Sequence, residues 1–221
     1  EPLLAVHDAS LVAFLRDKGR VQAGQKVLIH GASGGVGTFA VQIAKILGAH
    51  VTAVTSPANL EFVRALGADF AIDYTRQNFT EGSDRYDVIF DCYASHALAD
   101  IRRVLTPHGV YVGAGGPMPG MLRLLLGIVA RLALSRFRKQ KTPFFVAKVN
   151  ALDLSLLAGW MASGQLTPVL DQSYSLAQVP EALRYLETKH ARGKVVIVVS
   201  HAASHTAEPA APVAESLNSV P

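Results

Sequence analysis

Lys26-Val27-Leu28-Ile29-His30-Gly31-Ala32-Ser33-Gly34-Gly35-Val36-Gly37 is the stretch on which the fold turns. Val27, Leu28 and Ile29 form a short apolar run of the kind that a strand buried on both faces requires. Four of the next seven residues, 31–37, are glycine, so the chain must turn tightly there. Apolar residues then recur at helical spacing, which predicts a helix over 35–47 that Gly48 closes. Strand, glycine turn and helix in that order open a βαβ unit whose turn cradles a phosphate. Aligned on G-x-G-x-x-G, Ala32 stands in the place of the first glycine, with Gly34 and Gly37 in the second and third. Gly34 admits a pyrophosphate close to the backbone, and Gly37 lets helix and strand pack. The N–H groups of Gly35 and Val36 point at the anion from the positive helix end. The alternative is the same turn without a ligand, and the density of glycines argues against it.

Working outward, strands are predicted at 26–30, 50–55, 70–74, 87–92 and 109–113, with helices at 35–47, 59–66 and 98–105 between them. This alternation predicts an α/β fold, a doubly wound Rossmann domain with a mostly parallel sheet. Further on come an edge strand at 143–147, helices at 151–163 and 180–187, and a last strand at 194–199. The Ala-, Pro- and Ser-rich stretch 200–221 is expected to be disordered.

With 50% hydrophobic and 17% charged residues, the 221-residue chain can bury a full core. Its 21 Lys and Arg against 17 Asp and Glu leave a net charge of +4, too mild and scattered to argue for nucleic acid. A single cysteine, Cys92, excludes an internal disulfide and a cysteine cluster for structural zinc, which fits a reducing, cytoplasmic compartment. Residues 1–10 show no basic, then apolar, signal-peptide pattern. The apolar stretch 121–134 is too short to span a bilayer. Beside it stand Arg136, Arg138, Lys139 and Lys141, and three roles stay open. It packs on its own domain, or joins two copies as a homodimer with the edge at 143–147, or lies through 121–141 on an anionic membrane surface.

A site that holds the two ribose hydroxyls of an adenosine wants an acid at the end of the second strand, about 20 residues past the glycines. Here the strand ends Thr55-Ser56-Pro57-Ala58-Asn59, with no acid before Glu61. A 2'-phosphate would meet no repulsion, and Ser56, Asn59 and Tyr74 offer it hydrogen bonds. Arg76 is a candidate cation and equally a solvated surface charge. Tyr185 and Lys189 match the Tyr-x-x-x-Lys acid pair of short-chain dehydrogenases. The Arg192-Gly193-Lys194 stop ends that helix within a turn, so Tyr185 reads as a packing residue between Leu183 and Leu186.

Four stretches together carry a family resemblance: 21–37; Ala40-Val41-Gln42-Ile43-Ala44; Leu66-Gly67-Ala68-Asp69 with Ile72-Asp73-Tyr74; and His190-Ala191-Arg192-Gly193-Lys194-Val195-Val196-Ile197. In order and spacing the chain resembles the quinone-oxidoreductase-like, zinc-independent branch of the medium-chain dehydrogenase/reductase superfamily. The resemblance implies hydride transfer from NADPH, without zinc, to a quinone or other electron-poor enone. It implies cofactor contacts at Gly31, Ala32, Ser33, Gly34, Gly35, Val36, Gly37, Thr55, Ser56, Asn59 and Tyr74 on the phosphate and adenosine side. On the nicotinamide side it implies Gly113, Gly115, Phe145 and Ala147. Members of that family begin with a separate GroES-like catalytic domain. The division it implies is a linker or remnant at 1–20, the Rossmann domain at 21–166 and a segment returning to the catalytic domain at 167–199. Apolar surface at 11–15 and 195–199 is then expected to lie bare.

No catalytic acid and no metal site are assigned. Cys92 reads as a buried small hydrophobe and His30 as a structural histidine. Two function classes remain: a redox enzyme, and an NADPH-binding module without turnover. A Rossmann methyltransferase stands behind both.

Overall fold

A computed structural model describes residues 11–12, 14–113, 140–142, 151–188 and 191–199. The expectations for Gly115, Phe145 and Ala147, for 121–139, for the edge strand at 143–147 and for the tail fall outside them. Five strands form one sheet: β1 (Lys26–His30), β2 (His50–Thr55), β3 (Phe70–Asp73), β4 (Tyr86–Asp91) and β5 (Leu105–Gly113). All neighbours are parallel, in the order β3-β2-β1-β4-β5. Each βα crossover therefore lies on one face or the other, and the strand order reverses between β1 and β4. Ligands of open α/β sheets bind outside the carboxyl ends at such a reversal.

Alternate residues of the central strands feed two cores. Val27, Ile29, Val88 and Phe90 face α1 (Gly37–Ile46), with Phe39 and Ile43 against them. Leu28 and Ile89 face α3 (Leu98–Arg103) through Ile101. α2 (Leu60–Ala65) follows β2, and α4 (Ala151–Ala162) returns Leu157 to the first core. Burial on both faces is why these strands carry unbroken apolar runs. No helix among the described residues is long and apolar enough to cross a membrane.

Three expectations need correction, and one strand was not expected. The first helix starts at Gly37, two residues after the expected 35, because Gly34–Val36 form the turn and Thr38 N–H already donates to the Gly34 carbonyl (3.0 Å). β5 begins at Leu105, earlier than 109, since pairing with β4 carries it past Pro107 across an irregular register. Leu11, Val12 and Leu15 do not lie bare. They are at most 3% exposed and belong to the first core, the last of them within a π-helical turn at Phe14–Lys18. A sixth strand, β6 (Leu170–Ser175), has no sequence signature: it alternates nothing and pairs parallel with β7 (Lys194–Val198), which holds it extended.

β6, α5 (Val179–Glu187) and β7 stand apart from the five-stranded sheet, and Leu170, Leu183, Leu186, Val198 and Val199 are exposed there. Tyr185 does more than pack: its hydroxyl donates to Asp171 Oδ2 (2.6 Å), the oxygen that also accepts from the Arg192 backbone N–H (2.8 Å). Beyond β5, Lys141 pairs with the sheet edge, its N–H donating to the Gly109 carbonyl (3.0 Å) and its carbonyl accepting from Tyr111 N–H (2.9 Å).

Candidate functional site

The glycine turn leaves the end of β1 at a left-handed Gly31 (φ +82°), whose N–H donates to the Val54 carbonyl (3.1 Å). Ala32 is fully buried beneath it. The other glycines divide by what a Cβ would meet. At Gly37 it would lie 2.1 Å from the Gly31 carbonyl oxygen and 2.7 Å from Ala32 Cα, so this glycine serves the close approach of helix and strand. At Gly34 it would meet nothing nearer than the Gly31 oxygen at 3.6 Å. The protein itself leaves room there. Gly35 is covered instead by the Gly193 carbonyl, 3.0 Å from its Cβ position, where the C-terminal strand leans on the turn and Gly193 N–H donates to the Ser33 carbonyl (2.9 Å). Gly35 N–H faces that same Gly193 carbonyl across a parallel bridge, whereas among the described residues the N–H groups of Ser33 and Val36 donate to no backbone acceptor. Unsatisfied N–H groups at a helix start are the ingredients of an anion site.

Beside the turn a cavity of about 430 Å3 opens at the carboxyl ends of the strands, lined by His30, Gly31, Ser33, Gly34, Val54, Thr55, Ser56, Asn59, Tyr74, Tyr93, Ser95, Thr188 and Ala191. Most residues expected on the adenosine side thus come together. Thr55 is buried, and its hydroxyl donates to Ser33 Oγ (2.9 Å), so it sets the turn as well as lining the wall. Asn59 donates through Nδ2 to Ser56 Oγ (3.1 Å), and its buried Oδ1 has no partner. A buried amide oxygen left open in a cavity wall fits an incoming donor, since leaving it unmet costs about 1–3 kcal/mol. Tyr74 and Tyr93 are half exposed. Gly113 ends β5 outside this cavity. Arg76 also stays outside it, its guanidinium in solvent 3.8 Å from Asp73.

The structure supplies two things the sequence hides. The first is a cation: Arg192 donates through Nη2 to the Ala58 carbonyl (3.3 Å), which places a guanidinium at the 56–59 loop from 134 residues away. The second is a buried network behind the turn. β1 and β4 end side by side with His30 opposite Asp91. Asp91 is fully buried, and its Oδ1 accepts from His30 Nδ1 (2.8 Å), Tyr93 N–H (2.9 Å) and Ala94 N–H (2.8 Å). Its Oδ2 has a longer bond from the Tyr111 hydroxyl (3.3 Å). Burial works against the Asp91 charge, yet the His30 bond and the two N–H groups outweigh it and hold the carboxyl below its usual range. The loop it organises carries Ala94 at a left-handed φ of 48°. His96 comes to 5.3 Å from His30, ring centre to ring centre, with Phe79 packed on both. Burial and the neighbouring His30 push the His96 imidazole below its ordinary value. The Cys92 thiol is pushed up to about 12 by burial and by Asp91, which makes it a poor nucleophile and a poor metal ligand.

Residues 66–197 match the family described as zinc-binding dehydrogenase. The chain is 38% identical over 194 residues to the NAD(P)H oxidoreductase RTN4IP1, mitochondrial, of Homo sapiens, covering 80% of this chain and 48% of that protein. It is 36% identical over 181 residues to the NADPH-dependent alkenal/one oxidoreductase, chloroplastic, of Arabidopsis thaliana, covering 79% and 41%. Among solved structures, the quinone oxidoreductase from Coxiella burnetii superposes with a TM-score of 0.71 at 27% identity, over 90% of this chain and 59% of that one. The chain spans about half the length of the curated relatives it matches.

Proposed function

The chain belongs to the zinc-binding dehydrogenase family, within the medium-chain dehydrogenase/reductase superfamily, and from that premise we propose that it binds NADPH and serves the reduction of quinones or other electron-poor enones. The carrying observation is the phosphate cradle: an open Gly34 and the unpaired N–H groups of Ser33 and Val36 at the mouth of a cavity walled by Ser56, Asn59 and Tyr74. In this reading the N–H groups of Ser33 and Val36 hold the pyrophosphate, and Asn59 and Ser56 meet the ribose. Tyr74 and Tyr93 flank the base, and Gly113 ends the strand on the nicotinamide side. The bound nicotinamide supplies the hydride. The chain's own part is to bind, orient and exclude water, which governs how much of the barrier positioning removes. No zinc enters this chemistry as proposed, and no residue described here is assigned the proton.

β6, α5 and β7, with their exposed leucines and valines, are proposed as the part that reaches toward the substrate-binding portion of the protein. A homodimer and a cytoplasmic compartment belong to the same proposal. Titration with NADPH and NADH, followed by steady-state NADPH oxidation with a panel of quinones and enones, tests it. Binding without turnover would favour the module reading, and absence of NADPH binding would sink both.

Arg192 is expected to set the cofactor preference. A charge-assisted bond to a 2'-phosphate, weakened by solvent at this exposed position, corresponds to about a fivefold to tenfold change in affinity. Arg192→Ser should lower NADPH affinity by that factor and leave NADH unchanged. An equal loss for both cofactors would show that Arg192 does not read the phosphate.

A further inference from the structure

We propose that His30 and His96, with Asp91 behind them, form a binding site for a divalent transition-metal ion that prefers imidazole, such as Zn2+. One polar atom from each of the three side chains lies within 4.8 Å of the others, and His30 and Asp91 are buried. Two imidazoles bound at ~2.1 Å on adjacent corners of a tetrahedron hold their ring centres about 5 Å apart. The rings of His30 and His96 stand 5.3 Å apart, tilted by 64°. Asp91 completes the arrangement as the carboxylate of a carboxylate–histidine pair. An ionised carboxylate only accepts, so the 2.8 Å contact puts the His30 proton on Nδ1 and leaves Nε2 as its ligand atom. The buried negative charge on Asp91 offsets that of an arriving cation.

Phe79 lies 5.3 Å from the His30 ring and 4.7 Å from the His96 ring, so both imidazoles are held in place by an apolar wall. His30 belongs to β1, and His96 to the loop that enters α3. An ion bridging them would staple two elements that no ion pair among the described residues joins at that point. His30 also lines the cavity, so the ion would sit in its wall. The test involves no cofactor.

The experiment is calorimetric titration of the chelator-stripped chain with Zn2+, paired with thermal melts. Binding that raises the melting temperature, and that His96→Asn weakens by about tenfold or more while His108→Asn leaves it intact, is the expected result. Zn2+ binding that His96→Asn leaves at the parent affinity, or no binding at all, overturns the proposal. Should His96→Asn fail to fold, imidazole NMR of the parent chain decides instead. The His30 and His96 ring signals must both shift on adding Zn2+, and stationary signals overturn the site.

Discussion

Gly37→Ala is expected to unfold the domain or to leave it about 3 kcal/mol or more less stable, whereas Gly34→Ala should keep the fold and weaken NADPH binding sharply. The new methyl at position 37 would sit 2.1 Å from a backbone oxygen and 2.7 Å from a backbone carbon, and neither atom belongs to a side chain that can swing away. Relief requires the start of α1 to lift off the end of β1, against the core that Phe39 and Ile43 build. At position 34 the nearest atom is 3.6 Å away, and the glycine is not left-handed, so alanine costs the folded chain little. Its methyl would occupy the space the pyrophosphate needs. A hundredfold loss of affinity, about 2.7 kcal/mol, is the expected size. Chemical denaturation and fluorescence titration of both variants read the two effects separately. A folded Gly34→Ala chain that binds NADPH like its parent would remove the phosphate cradle from the proposed function.

Asp91→Ala should cost about 3–5 kcal/mol of stability at neutral pH, because it strands buried partners that converge on one carboxylate. His30 Nδ1 and the N–H groups of Tyr93 and Ala94 would all lose their acceptor. The loop carrying left-handed Ala94 would lose what holds it, and the cavity wall at Tyr93 with it. The pH dependence has a definite sign. The carboxyl is held below its ordinary value in the fold, so its contribution is complete above the unfolded carboxylate range. It disappears as pH falls through the lowered folded value. Denaturant melts across pH should therefore show the gap between parent and variant closing on acidification. A gap that stays constant into acid would mean that Asp91 stabilises the chain through packing rather than charge.

The local elements were largely legible. β1 and β2 have the same bounds in sequence and structure, since an apolar run between a polar residue and a glycine or serine admits one strand register. β6 was not legible, because Leu170–Ser175 is extended only through its pairing with β7. The bareness expected at 11–15 failed for a related reason: apolar residues show that a partner surface exists but not which one, and here it is the chain's own first core. The His30–Asp91 pair was within reach. In a parallel sheet of order 2-1-4 the last residues of β1 and β4 are neighbours, so strand order alone would have joined them.

By itself the sequence determined the strand–turn–helix that can hold a phosphate, the parallel alternation around it, and the missing acid after β2. These depend on spacing within one unit, where backbone geometry leaves few choices. Tertiary structure alone decided that Gly35, between Gly34 and Gly37, is covered by the Gly193 carbonyl, since that depends on what approaches it in space. It also decided that Arg192 returns to the 56–59 loop and that His96 joins His30 and Asp91. Contacts of that kind are set by strand order and by how the chain's last segment closes over the turn, and no local pattern encodes either.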